Sequence, residues 1–187
     1  MTSLLFVVLF FFEPLVIEQI TGNFDTYLLI IVIMTYVLPL ISMLIMKLTT
    51  MIPNFQMTDR RERIYPYIFT ITYYIAATYF FNNILSDNNV NIILLMSTVS
   101  LCVAFVVNFY FKISIHSIAI CGVLGFMSGL AARTSDILLI YPIAGLVVLA
   151  GALMSSRLLL NAHNTKEVYA GALLGLFAGF TSSVFLN

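Results

Sequence analysis

Long apolar segments separated by short polar connections form the pattern of this chain. A helix needs roughly 20 residues to cross the hydrocarbon core of a bilayer. Six segments have about that length, at residues 26–46, 65–82, 90–111, 115–132, 136–155 and 168–186. They are continuously apolar and do not alternate, which favours helices over the strands of a barrel. We therefore expect an all-α fold, a polytopic membrane helical bundle with six firm transmembrane helices.

The N-terminal segment, residues 3–20, is the candidate for a seventh span. Glu13-Pro14 and Glu18 interrupt it, so it could span, lie in the interface or kink partway. We expect it to span. Met1–Phe12 lacks the basic region and the cleavage signature of a removable signal peptide. We expect residues 1–187 to form a single integral membrane domain.

Composition supports a membrane protein. Hydrophobic residues make up 61% of the chain, charged residues only 9%, and the mean hydropathy is +1.07. Such a chain has too little polar surface to coat a soluble domain. We expect an integral protein of a bacterial inner (cytoplasmic) membrane, with membrane lipids and no nucleic acid as partners. Cys102 and Cys121 lie within apolar runs and are interpreted as core residues, not as a disulfide or metal ligands.

The basic residues are concentrated in three connections, at 47–64, 112–117 and 156–167. Two spans separate each of these connections from the next, so a hairpin topology brings all three to the same face of the membrane. Positive-inside counting would place that face in the cytoplasm. The count is confounded if the same residues bind an anionic headgroup, and the orientation stays open. The basic residues concerned are Lys47, Arg60, Arg61, Arg63, Lys112, Arg157 and Lys166.

The last basic connection carries the strongest chemical signal. Arg157 precedes His163 by six residues, and Glu167 follows that histidine by four. An arginine can bind phosphate through two parallel hydrogen bonds, a histidine can attack phosphorus, and a carboxylate one helical turn later can hold the imidazole tautomer. The plain alternatives are an interfacial histidine without a role and a glutamate that only favours a helix N-terminus.

The other two basic connections add further candidates. Ser114-Ile115-His116 lies where a span begins, so it offers a hydroxyl, unpaired backbone amides and a second imidazole to an oxyanion. Arg63 precedes a helix and could neutralise charge on phosphate oxygens. Arg60 and Arg61 are better explained as charges that set the topology.

Taken in order, these motifs resemble the type 2 phosphatidic acid phosphatase family, which shares its site with vanadium haloperoxidases. The motifs are Arg-x-x-Pro from Arg63, Ser-x-His-Ser from Ser114, and Ser-Arg-x5-His-x3-Glu from Ser156. The third motif matches best, with Glu167 where the family usually has aspartate. The resemblance covers about residues 60–187, which we take as the phosphatase-like core.

The first two motifs depart from the family pattern. Ile113 and Ile115 replace the family's proline and glycine, and the missing glycine affects how closely the backbone can approach a phosphate. The family pattern is a lysine, six residues and then Arg-Pro. Here Gln56 lies seven residues before Arg63 in place of the lysine, and Pro66 follows that arginine by three residues. Lys112 could supply the missing ammonium group.

The resemblance implies a lipid phosphate phosphatase that acts through a phosphohistidine. His163 would attack the phosphorus of a phosphomonoester or diphosphate, Glu167 would fix the tautomer, and His116 would protonate the departing lipid oxygen and then activate water. The residues implied to hold the phosphate oxygens are Arg157, Arg63, Ser114 and Lys112. No cofactor or metal is implied, and two histidines with scattered carboxylates do not match the spacing of a zinc or two-metal site.

Two other classes of function stay open. A family member with impaired catalysis could bind or transport a phosphorylated lipid, and a purely structural membrane protein is the third interpretation.

Glycines repeat every four residues at 171, 175 and 179, and again at 125 and 129. These stripes predict close helix contacts that hold the His163 and His116 helices together, and they could also support a homo-oligomer.

Overall fold

The chain folds into helices. The computed structural model describes residues 24–53, 57, 59–85 and 88–185; 86% of these residues are helical, and none of them forms a strand. This confirms the all-α prediction for the part of the chain described. The main helices are α1 Phe24–Val32, α2 Leu38–Leu48, α3 Ile64–Phe80, α4 Asn88–Asn108, α5 Ile115–Thr134, α6 Ile140–Leu159 and α7 Thr165–Val184.

Five helices among the described residues are long and apolar enough to cross a membrane. One of them joins α1 to α2 through the π-helical turn Ile33–Val37, and the others correspond to α4, α5, α6 with its leading 3-10 turn, and α7. The segment expected to span at 65–82 forms the 17-residue helix α3, which is not among these five. The candidate span at 3–20 lies outside the described residues.

Side-chain caps set the residues at which α5 and α7 begin. The Ser114 hydroxyl accepts a hydrogen bond from the Ser117 amide and begins α5. Asn164 begins α7 through a reciprocal capping box with Glu167. Such caps satisfy amides that have no partner within a helix. They hold both helix starts, and the residues in them, in defined positions.

Helices α5 and α7 form the closest pair in the bundle. A Cβ atom on Gly171 would lie 2.6 Å from the Ser114 carbonyl oxygen. One on Gly175 would lie 2.9 Å from the amide nitrogen of Gly122 and would also collide with the Ile118 carbonyl. Only glycine permits this approach of two backbones. The glycines of α7 therefore hold α5 and α7 together, as predicted. The homo-oligomer stays a prediction.

The core lies around α5. Its buried side chains Val123, Phe126 and Met127 pack with residues of α1, α3, α4 and α6. Large apolar side chains on the outside of α2 and α6, such as Leu44 and Val148, are exposed instead. Exposed apolar surface of this extent fits helices that contact lipid. Cys121 is buried, Cys102 is half-buried, and both are free thiols, as predicted.

Candidate active site

The three basic connections meet at one end of the bundle. The Ser114 amide donates a hydrogen bond to the Glu167 carbonyl oxygen at 3.2 Å, which joins the second motif to the third. The Arg63 guanidinium donates a longer bond, 3.5 Å, to the carbonyl oxygen of Ile113, which joins the first motif to the second. Segments about 50 residues apart in sequence are therefore in direct contact, as the hairpin topology predicts.

A histidine and a carboxylate form the centre of this region. Nδ1 of His163 lies 2.7 Å from Oε2 of Glu167, and only 6% and 12% of the two side chains are exposed. A carboxylate accepts, so the Nδ1–H tautomer donates to it and Nε2 keeps its lone pair. Spacing by four residues across a helix start gives the orientation that a nucleophilic imidazole needs.

Asn164 holds the Glu167 side chain in place. Its side-chain amide donates to Oε1 at 2.9 Å, its backbone amide donates to Oε2 at 3.4 Å, and its Oδ1 accepts from the Glu167 amide at 3.0 Å. The carboxylate thus has defined partners on both oxygens. Asn164 was not among the residues predicted for the site, although Asn-x-x-Glu before an apolar run is the signature of a capping box.

The turn after α6 places His163 close to Arg157. The Arg157 carbonyl oxygen accepts from the amides of Ala162 and His163 at 3.1 and 3.3 Å, and Asn161 adopts a left-handed conformation with φ 50°. This tight turn ends the helix and folds the chain back toward α7. It brings the arginine and the histidine of the third motif to the same end of the bundle.

Burial and nearby cations favour the neutral form of His163. Burial lowers the pKa of this imidazole below its usual value, and the positive charges of Arg63 and Lys112 act in the same direction. The hydrogen bond that His163 donates to Glu167, and the charge of that carboxylate, oppose this shift and raise the pKa. The net lowering favours the unprotonated ring, which is the nucleophilic form.

Arg63 and Arg157 are the cations best placed for an anion. Arg63 is only 9% exposed, and its Nε donates to the Met57 carbonyl oxygen at 3.2 Å. Nε of Arg157 is buried and has no hydrogen-bond partner among the residues that the structure describes. A buried guanidinium N–H without a partner is costly, and a bound oxyanion would satisfy it.

His116 lies on the first turn of α5 and is exposed. Arg157, His163 and Arg63 are all near enough to act on it electrostatically. The two histidines of the chain therefore belong to one cluster, as the sequence predicted. By helix geometry the amides of Ile115 and His116 have no partner within α5, so they add two donors on this side.

Ser114 has a structural role in this arrangement. It is fully buried, and its hydroxyl oxygen accepts from both the amide and the hydroxyl of Ser117. Its own proton stays available for donation. The role of Ser114 as a phosphate ligand stays a prediction, and so does that of Lys112, which is half-buried and acts on His163.

Arg60 caps a helix instead of facing the histidines. Its Nη1 donates to the carbonyl oxygens of Phe109 and Tyr110, both at 2.8 Å, just after the end of α4. A guanidinium there pairs with carbonyls that the helix leaves without partners. Arg60 therefore fastens the first connection to α4. Gln56, at the departure in the first motif, lies outside the described residues.

A small cavity lies beside the Glu167 carboxylate. It measures about 290 Å³, near the lower limit of ligand pockets, and is lined by Phe111, Asn164, Lys166, Glu167 and Ala170. It combines apolar surface with one ammonium group. Within the described ranges, no three His, Cys, Asp or Glu side chains come together as a metal site.

No protein-family model matches the chain, and no match is found among curated proteins or solved structures. The functional interpretation therefore depends on the residues of this chain and their geometry.

Proposed function

We propose that this protein is a membrane lipid phosphate phosphatase that works through a phosphohistidine, similar to the type 2 phosphatidic acid phosphatases. The observation that supports it most is the 2.7 Å contact between His163 and Glu167 in a cluster that contains two arginines and a second histidine. This combination supplies a nucleophile, a group that orients it, a proton donor and anion-binding cations.

In the first step, Nε2 of His163 forms a bond to phosphorus while the bond from phosphorus to the lipid oxygen breaks. His116 gives its proton to that departing oxygen. Water then attacks phosphorus, His116 takes a proton from the water, and the phosphorus–nitrogen bond breaks. Inorganic phosphate leaves and His163 returns to its starting form. Glu167 accepts the Nδ1–H bond throughout and stabilises the positive charge that develops on the ring.

Arg63 and Arg157 would bind the phosphate oxygens, together with Ser114 and Lys112. Charge shifts onto these oxygens in the transition state, so preorganised donors in a site with little water lower the barrier. The Nε of Arg157, which has no hydrogen-bond partner in the described part of the chain, supports this assignment. The cavity beside Glu167 offers room for part of a headgroup.

The proposal includes the finer topology. The site would lie at one edge of a bacterial inner membrane. It would be carried by six transmembrane helices that include α3, and by a seventh span at residues 3–20. The core at 60–187 would contain every catalytic residue. A phosphorylated lipid would enter laterally from one leaflet, since the site lies where the spans end.

The direct test is phosphate release by purified protein in detergent with EDTA and no added metal. The panel contains a phosphatidate, a phosphatidylglycerol phosphate, a polyprenyl diphosphate and a phosphorylated glycolipid. We expect release from at least one lipid class. Binding of these lipids by folded protein without release would instead support the alternative, a lipid-phosphate binder or transporter.

The pH dependence gives a second test. Because the pKa of His163 is lowered, the acid limb of kcat/KM, where this imidazole takes up a proton, should lie below the ordinary histidine pKa of about 6.5. Glu167→Gln removes a charge that raises this pKa, so the acid limb should move to lower pH while the plateau falls roughly 10- to 100-fold. Wild type and Glu167→Gln are compared on the same substrate, so ionisation of the substrate affects both pH profiles equally. An acid limb that moves to higher pH would contradict the assignment.

A further inference from the structure

Tyr67 has a buried hydroxyl that makes no hydrogen bond within the described part of the chain. The residue is 2% exposed, so water does not reach its side chain freely. A phenylalanine would fill the same space without the cost of an unpaired buried hydroxyl. This side chain is therefore not explained by packing alone.

The position of Tyr67 connects it to the candidate active site. It follows Arg63 by four residues, about one helical turn, and its phenol lies close to that guanidinium. Arg63 in turn acts on both histidines. The phenol thus lies on the side of α3 that faces the cluster.

Packing holds the ring in this position. Its centroid lies 5.8 Å from that of Phe105, and it belongs to a small buried group with Ala104, Ile113 and Ile118. Ile113 and Ile118 flank the Ser114–Ser117 cap in the sequence. The hydroxyl is therefore held on a rigid ring beside the second motif, which lowers the entropy cost of binding a ligand there.

We propose that the Tyr67 hydroxyl donates a hydrogen bond to the phosphate group bound by Arg63, so that Tyr67 is a further phosphate-binding residue of this site. This inference rests on the proposed function. A phenol is neutral at pH 7 and carries a proton to give. It adds a directed donor to the anion site without adding a charge.

The test is Tyr67→Phe, with Tyr65→Phe as the matched control because Tyr65 is on the same helix and is 51% exposed. The two measurements are the affinity for inorganic orthovanadate, as a phosphate mimic, and the midpoint of thermal unfolding without ligand. Loss of a hydrogen bond to a charged group should weaken vanadate binding roughly 10- to 100-fold. Removal of an unpaired buried hydroxyl should leave the unfolding midpoint unchanged or raise it by about 2–4 °C. The control should change neither.

The two quantities separate the outcomes. Weaker vanadate binding with equal or higher thermal stability supports the proposal, because a purely structural tyrosine would lose stability as well. Unchanged vanadate affinity overturns it, and so does a lower unfolding midpoint. If Tyr67→Phe binds vanadate normally while His163→Ala loses phosphate release, the inference about Tyr67 fails and the proposed function stands. If wild type neither binds vanadate nor releases phosphate, both fail.

Discussion

Replacement of His163 by alanine is expected to lower lipid phosphate release at least about 10⁴-fold. The nucleophile is removed, and neither Glu167 nor His116 can take its place at phosphorus. The remaining arginines would still bind the substrate, so the loss should appear in kcat far more than in KM. Initial rates of phosphate release in detergent measure both parameters.

The control for this variant is Tyr169→Phe. Tyr169 lies on the first turns of α7 and is 58% exposed, so its hydroxyl should have little effect on kcat. Circular dichroism should show the same helix content in both variants. Activity of His163→Ala within tenfold of wild type would contradict the role of this histidine as the nucleophile.

Gly175→Ala is expected to destabilise the bundle by about 2–4 kcal/mol. The new methyl group would collide with the backbone of Ile118 and Gly122 on α5. Backbone cannot move aside as a flexible side chain can, so α5 and α7 must separate. Separation would also disturb the contact between Ser114 and Glu167, so phosphate release should fall together with stability.

Gly145→Ala is the matched control for this substitution. Gly145 is also within a helix, but no atom of the described residues lies within 4 Å of the position that its Cβ would occupy. Alanine there should stabilise the helix by roughly 0.5–1 kcal/mol, because it loses less conformational entropy than glycine. Thermal unfolding followed by circular dichroism compares the two variants. Equal midpoints for Gly175→Ala and Gly145→Ala would show that the glycine contact between α5 and α7 is not tight.

Much of the fold follows from local features of the sequence. Continuous apolar runs with polar connections predict helices because a backbone in lipid must satisfy its own hydrogen bonds. The segment at 65–82 was predicted to span and forms α3, but it is not among the five helices of the described residues that are long and apolar enough to cross a membrane. The tight pairing of α5 with α7 was also predictable, because glycines every four residues leave a flat helix face.

The candidate site was also predictable only in part. The spacing of His163 and Glu167 predicts their contact, although His163 lies just before the cap residue Asn164 and not within the helix. Other features depend on contacts between distant segments. Arg60 binds the end of α4, and Tyr67 is buried without a hydrogen-bond partner among the described residues. Neither is visible in residue spacing, since each depends on which segment lies opposite.

The most direct test of the central claim is detection of the covalent intermediate. Protein is mixed with a lipid substrate that it hydrolyses, quenched in alkali to preserve the acid-labile phosphorus–nitrogen bond, digested and analysed by mass spectrometry. We expect a phosphoryl group on the peptide that contains His163, specifically on that residue, and none in His163→Ala. Phosphate release by wild type through a phosphorylated residue other than His163 would contradict the account.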